Sequence, residues 1–180
     1  LAAAAADNAP AVALTDHGAM FGILEIQTRG KDMNKARKEK GLPPVKTIYG
    51  CHVYVDSPSA SVKDPTTYER LTLLVENEKG YYNLLRIVSY RYEESDRWAE
   101  IPSVPLDVVN QHKEGLIAIA GDYFSRYGQN VASGREAQAR EYMDNLDKIF
   151  DRDHLYLSVC DTGTTQQRGV NEGNLKLAQA

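Results

Sequence analysis

The sequence predicts an α/β protein of one domain, and three observations lead to this prediction. Short apolar runs alternate with longer, helix-permissive segments, which is typical of parallel strands joined by helical crossovers. The chain has 180 residues, a length that suits a single domain. Its 42% of apolar residues is the composition of an ordinary globular protein. Periodicity leaves open whether the strands form an open sheet or an incomplete barrel.

The predicted strands are short apolar runs, some of them rich in β-branched and aromatic residues. There are five of them, at residues 11–15, 47–55, 71–75, 115–121 and 155–160. The predicted helices are segments with apolar residues at helical spacing or with a charged, helix-permissive composition. They lie at residues 21–40, around 84–88, and at 106–111, 133–150 and 170–180. A Ser- and Pro-rich stretch at residues 56–67 predicts a surface loop.

Both ends of the sequence suggest a piece of a longer protein. Residues 1–6 are Leu and Ala, and no basic segment precedes them as one would in a signal peptide. They are typical of the end of a helix. Residues 176–180 stop inside a helical pattern without a Gly or Pro to close it. We therefore expect a fragment of a domain.

Composition excludes several classes of protein. With 21 Lys and Arg against 25 Asp and Glu, the net charge is −4, which argues against a uniformly basic nucleic-acid binder. The apolar content argues against wholesale disorder. No apolar run approaches the roughly 18 residues of a membrane span, so we expect no membrane partner. Two cysteines, Cys51 and Cys160, are too few for a disulfide framework and indicate a cytoplasmic protein with reduced thiols.

Two histidines are candidates for chemistry. His17 follows Asp16 at the end of the first predicted strand, where a carboxylate can hold an imidazole in one tautomer for a metal or a proton. The alternative is a hydrogen-bonded histidine at the start of a loop. His52 lies inside the second strand, on the opposite face from Cys51, and a histidine in the interior of the fold is the alternative there. Two histidines do not make a catalytic metal site, which needs three or four ligands.

Two other features allow both a binding and a structural interpretation. Residues 29–46 carry seven basic and two acidic residues, a charge that suits contact with a nucleic-acid backbone or simply a solvated helix face. Four tyrosines in and beside the third predicted strand-helix unit suit base stacking or packing of a helix against the sheet. They are Tyr81, Tyr82, Tyr90 and Tyr92.

Five segments together resemble the polymerase-and-histidinol-phosphatase (PHP) domain at the N-terminus of bacterial DNA polymerase III alpha subunits, the C-family replicative polymerases. The third is the most specific, because a strand followed by N-E-x-G-Y-x-N-L is typical of the polymerase branch. The segments are ALTDHGAMFGILEI at 13–26, IYGCHVYV at 48–55, RLTLLVENEKGYYNLLRIVS at 70–89, EGLIAIAG at 114–121, and the stretch from residue 155 through VNEGNLKLA at 170–178.

The resemblance implies a distorted (β/α)7 barrel, of which residues 1–180 are an incomplete part of a single PHP domain, without its first and last strands. Residues 29–46 would be a basic helix or helical insertion in it. Strand ends in active relatives hold up to three divalent ions through His, Asp and Glu side chains, which activate water for phosphoester hydrolysis. By this resemblance His17 and His52 are the candidate metal ligands here.

Three positions depart from the family pattern. His52 stands where many relatives have a ligand Glu, Arg70 where they often have His, and Thr162 where a further His is frequent. A guanidinium offers no lone pair and repels a cation. We therefore expect Zn, Mn or Mg to bind weakly or not at all. We also expect Arg70 to occupy a vacated metal position and to pair with a carboxylate such as Asp16.

The resemblance implies a role in bacterial DNA replication, as a scaffold or docking module with a degenerate metal site beside a Mg-dependent polymerase core. Its partners would be DNA, through the parent polymerase, and other replicase subunits, including a proofreading exonuclease subunit. An active metal-dependent 3′–5′ exonuclease is the alternative, and a stand-alone PHP phosphatase is a third interpretation. An incomplete barrel has uncovered edges, so the isolated piece should be poorly soluble or self-associating.

Overall fold

A computed structural model describes residues 1–57, 64–94 and 101–179 and confirms the α/β fold class. The strands in this part of the chain are β1 (Ala11–His17), β2 (Lys46–Val55), β3 (Glu69–Val75), β4 (Ser103–Val104), β5 (Leu116–Ala120) and β6 (Leu155–Leu157). They form a six-stranded sheet in the order β1-β2-β3-β5-β6, with β4 paired to β2. The α-helices are α1 (Ala2–Ala6), α2 (Ile23–Glu39), α3 (Glu78–Glu94), α4 (Leu106–Gln111), α5 (Arg126–Ala132), α6 (Glu136–Ile149) and α7 (Thr165–Ala178).

The predicted elements are found, with changes at their ends. The first strand continues through Asp16 and His17, and the last strand stops at Leu157. Strand β4 and helix α5 were not predicted, because the first has two residues between prolines and the second is a single short segment rich in Gly and Asn. Half of the predicted loop at 56–67, residues 58–63, lies outside the described residues, and Pro65–Thr67 forms a 3₁₀ turn.

The expectation of parallel strands is wrong for β3, which runs antiparallel to both β2 and β5. A parallel neighbour needs a long crossover, usually a helix, whereas the Ser- and Pro-rich segment before β3 shows no helical pattern. The reversal has a consequence for the site. It brings Arg70, near the beginning of β3, opposite Tyr54, at the same end of the sheet where His17 pairs with His52.

The two faces of the sheet differ in character. One face is covered by helices, and its core includes fully buried side chains from β2, β3 and α3, among them Cys51, Leu71, Leu73, Leu84 and Ile87. Burial of each such aliphatic side chain contributes about 1.5–3 kcal/mol. Because side chains alternate along a strand, the other face carries His17, His52 and Arg70. These side chains are exposed or partly exposed.

A buried asparagine ties the sheet ends to two helices. Asn174 of α7 is fully buried, and its Nδ2 donates to the carbonyl oxygens of Gly121 (3.1 Å) and Ser158 (2.7 Å), just after β5 and β6. Its Oδ1 accepts the hydroxyl hydrogen of Tyr127 in α5 at 2.6 Å. Every hydrogen-bonding group of this side chain thus holds a different segment in register.

Strand β4 takes over the edge of β2 where β1 ends. Its two residues pair with Tyr54 and Val55, two and three residues beyond His52, the last partner of β1. At this junction Gly18 has φ +65°, and its N–H donates to the carbonyl of His52 at 2.8 Å. A Cβ at position 18 would collide with the ring of Pro102, so the junction requires glycine in both conformation and space.

The basic segment is a solvated helix with one structural arginine. Most of its Lys and Arg side chains are exposed, and Arg29 pairs with Glu25 at 2.8 Å one turn away. Arg37 is buried instead, donating from Nε to the carbonyl of Pro43 (2.7 Å) and from Nη1 to that of Ala5 (2.9 Å). It anchors the turn after α2 to helix α1.

Candidate functional site

The two predicted site histidines lie side by side at the end of the sheet. His17 is the last residue of β1 and pairs in register with His52 of β2. Their ring centroids are 4.7 Å apart, and the planes are inclined by 23°, so the imidazoles stack. The ring of Tyr54, two residues further along β2, follows at 6.4 Å from His17. The two candidate histidines therefore lie on one face of the sheet.

Both ring nitrogens of His52 are engaged by hydroxyl groups. Nε2 lies 3.1 Å from Oγ1 of Thr15, and Nδ1 lies 2.7 Å from Oγ1 of Thr72. Burial lowers the pKa of His52, and the nearby His17 lowers it further. The cross-strand threonines thus hold the ring in place from both sides, and the surroundings favour its neutral form.

Arg70 reaches into the same end of the sheet. Its Nη1 donates to Oδ2 of Asp122 at 3.2 Å, and 16% of its side chain is exposed. The guanidinium carbon lies 5.3 Å from the centroid of the Tyr54 ring and 5.8 Å from that of Phe124, distances that suit cation–π contact. Within the described part of the chain, its buried Nε has no hydrogen-bond partner.

Arg70 pairs with a carboxylate as expected, but the carboxylate is that of Asp122 and not that of Asp16. Asp16 accepts the N–H of Gly22 at 2.8 Å, just before α2, and Asp122 pairs with the guanidinium instead. Asp16 thus lies at the N-terminus of α2, where the helix dipole favours a negative charge. Thr162 is exposed and hydrogen-bonded to Thr164 at 3.1 Å before α7. No described contact brings Thr162 into the group around His17.

These donors do not fit the ion cluster that the family resemblance implies. Imidazole lone pairs lie in the ring plane, so two nearly parallel stacked rings do not converge on one ion about 2.0–2.1 Å from each nitrogen. A metal on His52 would also displace a threonine hydroxyl. Across residues 1–57, 64–94 and 101–179, no three His, Cys, Asp or Glu side chains are grouped as metal ligands would be. That His17 and His52 bind a metal stays a prediction.

Sequence analysis missed three members of the site. Asp122 and Phe124 follow β5, and Tyr54 alternates with His52 along β2. Asp122 also accepts the N–H of Phe124 through Oδ1 at 2.9 Å, which shapes the turn. A signal was present, because an acidic and an aromatic residue follow a buried strand at its carboxyl end, where α/β proteins place functional side chains.

The remaining histidine with defined partners lies at the opposite end of the sheet. His154 precedes β6, and its Nδ1 is 2.6 Å from Oδ1 of Asp151. Its Nε2 is 3.5 Å from Glu76. The hydrogen bond to Asp151 raises the pKa of His154, followed by the charges of both carboxylates. When it is protonated, His154 therefore forms ion pairs with both carboxylates.

The four tyrosines also divide between the two interpretations. Tyr90 packs against the core, whereas Tyr82 and Tyr92 are largely exposed. Tyr81 and Tyr82 contact each other edge to face at 5.7 Å between centroids.

None of the helices in the described ranges combines the length and the apolar character needed to cross a bilayer.

Comparison with known proteins gives a consistent picture. Similar proteins include the DNA polymerase III subunit alpha of Treponema pallidum (strain Nichols), 31% identical over 172 residues, with 93% of this chain and 14% of the relative covered. The DNA polymerase III subunit alpha of Thermus aquaticus is 29% identical over 168 residues, with 91% of this chain and 13% of the relative covered. The corresponding protein of Caulobacter vibrioides is 30% identical over 175 residues, with 94% of this chain and 14% of the relative covered. The chain thus spans about a seventh of the length of these curated relatives.

The family model of the PHP domain matches residues 1–162. This match covers most of the chain, and it includes the strand ends at which His17, His52 and Arg70 meet. It confirms the resemblance drawn from the sequence segments. The chain belongs to the PHP domain family.

Proposed function

We propose that this chain is the PHP region of a bacterial DNA polymerase III alpha subunit and serves there as a scaffold or docking module with a degenerate metal site. In this proposal residues 1–180 form part of a single PHP domain. The observation that carries it is the position of Arg70. Its guanidinium lies among the strand-end residues, paired with Asp122, where the family resemblance places a metal-binding histidine.

The proposed activity of the whole protein is nucleotidyl transfer by a Mg-dependent polymerase core in DNA replication, in the cytoplasm. The names of the similar proteins support this, since each is called DNA polymerase III subunit alpha. Its partners would be DNA and other replicase subunits, including a proofreading exonuclease subunit. The residues of nucleotidyl transfer would then lie in another domain.

The electrostatics of the site argue against the alternative of an active exonuclease. Metal-dependent phosphoester hydrolysis needs ions that activate water and neutralise phosphoryl oxygens. A fixed positive charge beside His52 raises the free energy of any cation there, and Asp122 is already neutralised by it. Within the residues that the structure describes, the two carboxylates near the strand ends, Asp122 and Asp16, are engaged by Arg70 and by the Gly22 N–H and do not offset the charge of several ions.

Metal content tests the degenerate site. We expect the full-length wild-type protein to hold no stoichiometric Zn or Mn in this domain after dialysis, measured by mass spectrometry of the metals. The double variant His52→Glu, Arg70→His restores the family's ligand types at the two positions that lie together and should gain bound metal. Two or more tightly held ions in the wild-type domain, with chelator-sensitive hydrolysis of single-stranded DNA ends, would establish the exonuclease instead.

A stability variant tests the scaffold role. Asn174→Ala removes three buried hydrogen bonds and should destabilise the domain by about 3 kcal/mol. We expect the full-length protein to lose DNA polymerase activity faster on heating than the wild type does. Lys176→Ala, at an exposed position of the same helix, is the control and should match the wild type. If the half-life of polymerase activity in Asn174→Ala is unchanged, the domain does not support the polymerase core.

A further inference from the structure

A groove lies between helices α2 and α3 on the helix-covered face of the sheet, opposite to the face that carries His17 and His52. Its volume is about 580 Å³, and Tyr49 of β2 and Val75 at the end of β3 line its floor. Because side chains alternate along a strand, Tyr49 lies on the same face as the core residue Cys51. The groove is therefore separate from the strand-end residues described above.

Large apolar side chains at this groove are exposed to solvent. Phe21, just before α2, is 89% exposed, and Leu24 in the first turn of α2 is 73% exposed. Tyr82 of α3 is 55% exposed, and its ring contacts that of Tyr81 edge to face at 5.7 Å. All four side chains line the groove. Such a group of exposed apolar side chains is typical of an interaction site, because a partner that removes their area from water gains free energy.

We propose that this groove binds a proline-rich segment of a partner protein, in the polyproline II conformation and carrying a basic residue. The inference rests on the docking role in the proposed function, and it names the chemistry of the partner. Aromatic-lined grooves suit such segments, because proline offers apolar surface to the rings and a preformed polyproline II helix loses little conformational entropy on binding. Here the aromatic lining is formed by Phe21, Tyr49, Tyr81 and Tyr82.

The polar groups of the groove favour an extended partner over an α-helix. The side-chain amide of Gln27 and the hydroxyl groups of Tyr49, Tyr81 and Tyr82 supply hydrogen-bond donors to it. A polyproline II segment has no internal hydrogen bonds, so its carbonyl oxygens are able to accept from these donors. The carbonyl oxygens of an α-helix are already paired within the helix. Side-chain donors in the groove therefore contribute more to binding an extended backbone.

The charge of the groove favours a basic residue in the partner. Two carboxylates, Glu76 and Glu78, and one amine, Lys46, line the groove. Lys79, beside the two carboxylates in the chain, is paired with Glu114 at 2.5 Å, so its charge is offset elsewhere. An arginine or lysine near the start of α3 thus meets a net negative charge. This attraction is between exposed groups, so it weakens as salt is added.

The test uses the full-length protein and a fluorescent proline-rich peptide of about 12 residues with one arginine, made with the arginine at either end. A peptide of the same length and charge that forms an amphipathic α-helix is the comparison. Fluorescence anisotropy gives the affinity, and hydrogen exchange of peptides covering residues 20–28 and 75–83 locates the bound segment. We expect a proline-rich peptide to protect both segments, and the helical peptide to bind at least about tenfold more weakly.

The variants alter exposed side chains, so the fold should be retained. Tyr82→Ala should lower the affinity for the proline-rich peptide at least about tenfold, and Leu24→Ser should lower it about fivefold. Glu78→Gln should lower it about threefold and make binding less sensitive to salt. Tyr92→Ala is the matched control, because Tyr92 is an exposed tyrosine of the same helix that does not line the groove. It should bind the peptide as the wild type does.

The outcomes separate this inference from the proposed function. Equal or tighter binding of the helical peptide refutes the proline-rich partner, as does binding that Tyr82→Ala leaves unchanged. Wild-type protein that self-associates until Tyr82 is replaced shows that a second copy fills the groove, which also refutes it. Absence of binding by all peptides refutes the groove as a docking site and leaves the scaffold role standing. The scaffold role itself is judged by metal content and by the heat inactivation of Asn174→Ala, which do not involve this groove.

Discussion

Glu69 makes the stability of this domain depend on pH in the direction opposite to that of most carboxylates. It is the first residue of β3, 6% exposed, and its Oε2 accepts the N–H of Tyr127 at 2.8 Å. Burial raises the pKa of Glu69 from its ordinary value of 4.5 to about 7, although the Tyr127 N–H and the charge of Arg126 oppose the rise. The folded protein therefore favours the protonated carboxyl.

The sign follows from proton linkage. Between about pH 4.5 and 7 the folded state binds a proton at Glu69 that the unfolded state has released, so stability falls as pH rises. The contribution is fully present below about pH 4.5 and is lost as pH rises through 7. At about 1.36 kcal/mol for each pH unit, the loss amounts to roughly 3 kcal/mol.

Glu69→Gln should remove this dependence. Glutamine keeps an oxygen acceptor for the Tyr127 N–H and carries no charge at any pH. We expect the variant to match the wild type at about pH 5 and to exceed its free energy of unfolding by roughly 3 kcal/mol at about pH 8. Glu114→Gln, at an exposed carboxylate paired with Lys79, is the control and should follow the wild-type profile.

The measurement is urea unfolding followed by circular dichroism at several pH values. Hydrogen exchange of the Tyr127 amide, compared between variants at the same pH, reports the same contact locally. A wild-type protein that is as stable at about pH 8 as at about pH 5 would refute the reasoning. So would a Glu69→Gln variant whose stability falls with pH in parallel with the wild type.

Two further predictions concern close packing and thiol burial. Gly80→Ala should destabilise the domain by about 3 kcal/mol, because a Cβ there collides with the backbone of Gly115. Gly169→Ala, in open space within α7, should instead stabilise the domain by about 0.5–1 kcal/mol. Thermal unfolding measures both variants, and equal effects on stability would contradict the packing argument. Iodoacetamide should label exposed Cys160 in the folded protein and spare Cys51, since burial raises the pKa of the Cys51 thiol to about 12. Mass spectrometry of the labelled peptides reads this out, and rapid labelling of Cys51 would show that β2 opens easily.

Local patterns were enough to predict most of the fold. The helix at Leu106–Gln111 has the predicted bounds, because Pro105 fixes its beginning and the apolar valines fix its buried side. Alternation along β2 correctly separated Cys51, in the core, from His52 on the other face. These successes depend on periodicity, which a single strand or helix expresses by itself.

Features that depend on distant parts of the chain could not be predicted in this way. The direction of β3 and the pairing of β4 follow from the sheet as a whole. Asp122 and Asp16 lie 52 and 54 residues from Arg70 along the chain, so sequence distance could not tell which aspartate pairs with it. The burial of Glu69 follows from the packing of α5 against β3, which no local pattern expresses.

At the junction of β1 and β4, the residue that fixes the backbone, Gly18, is different from the residue that presents a side chain to solvent, His17. His17 is exposed and contacts its neighbours through ring faces, so other side chains fit at its position without disturbing the sheet. Gly18, one residue on, tolerates no side chain because Pro102 fills the space and φ is positive. Side chains at these strand ends can therefore be exchanged one by one while the shape of the domain persists. An enzyme with such strand ends can lose its activity and still be retained as a structural domain of a larger protein.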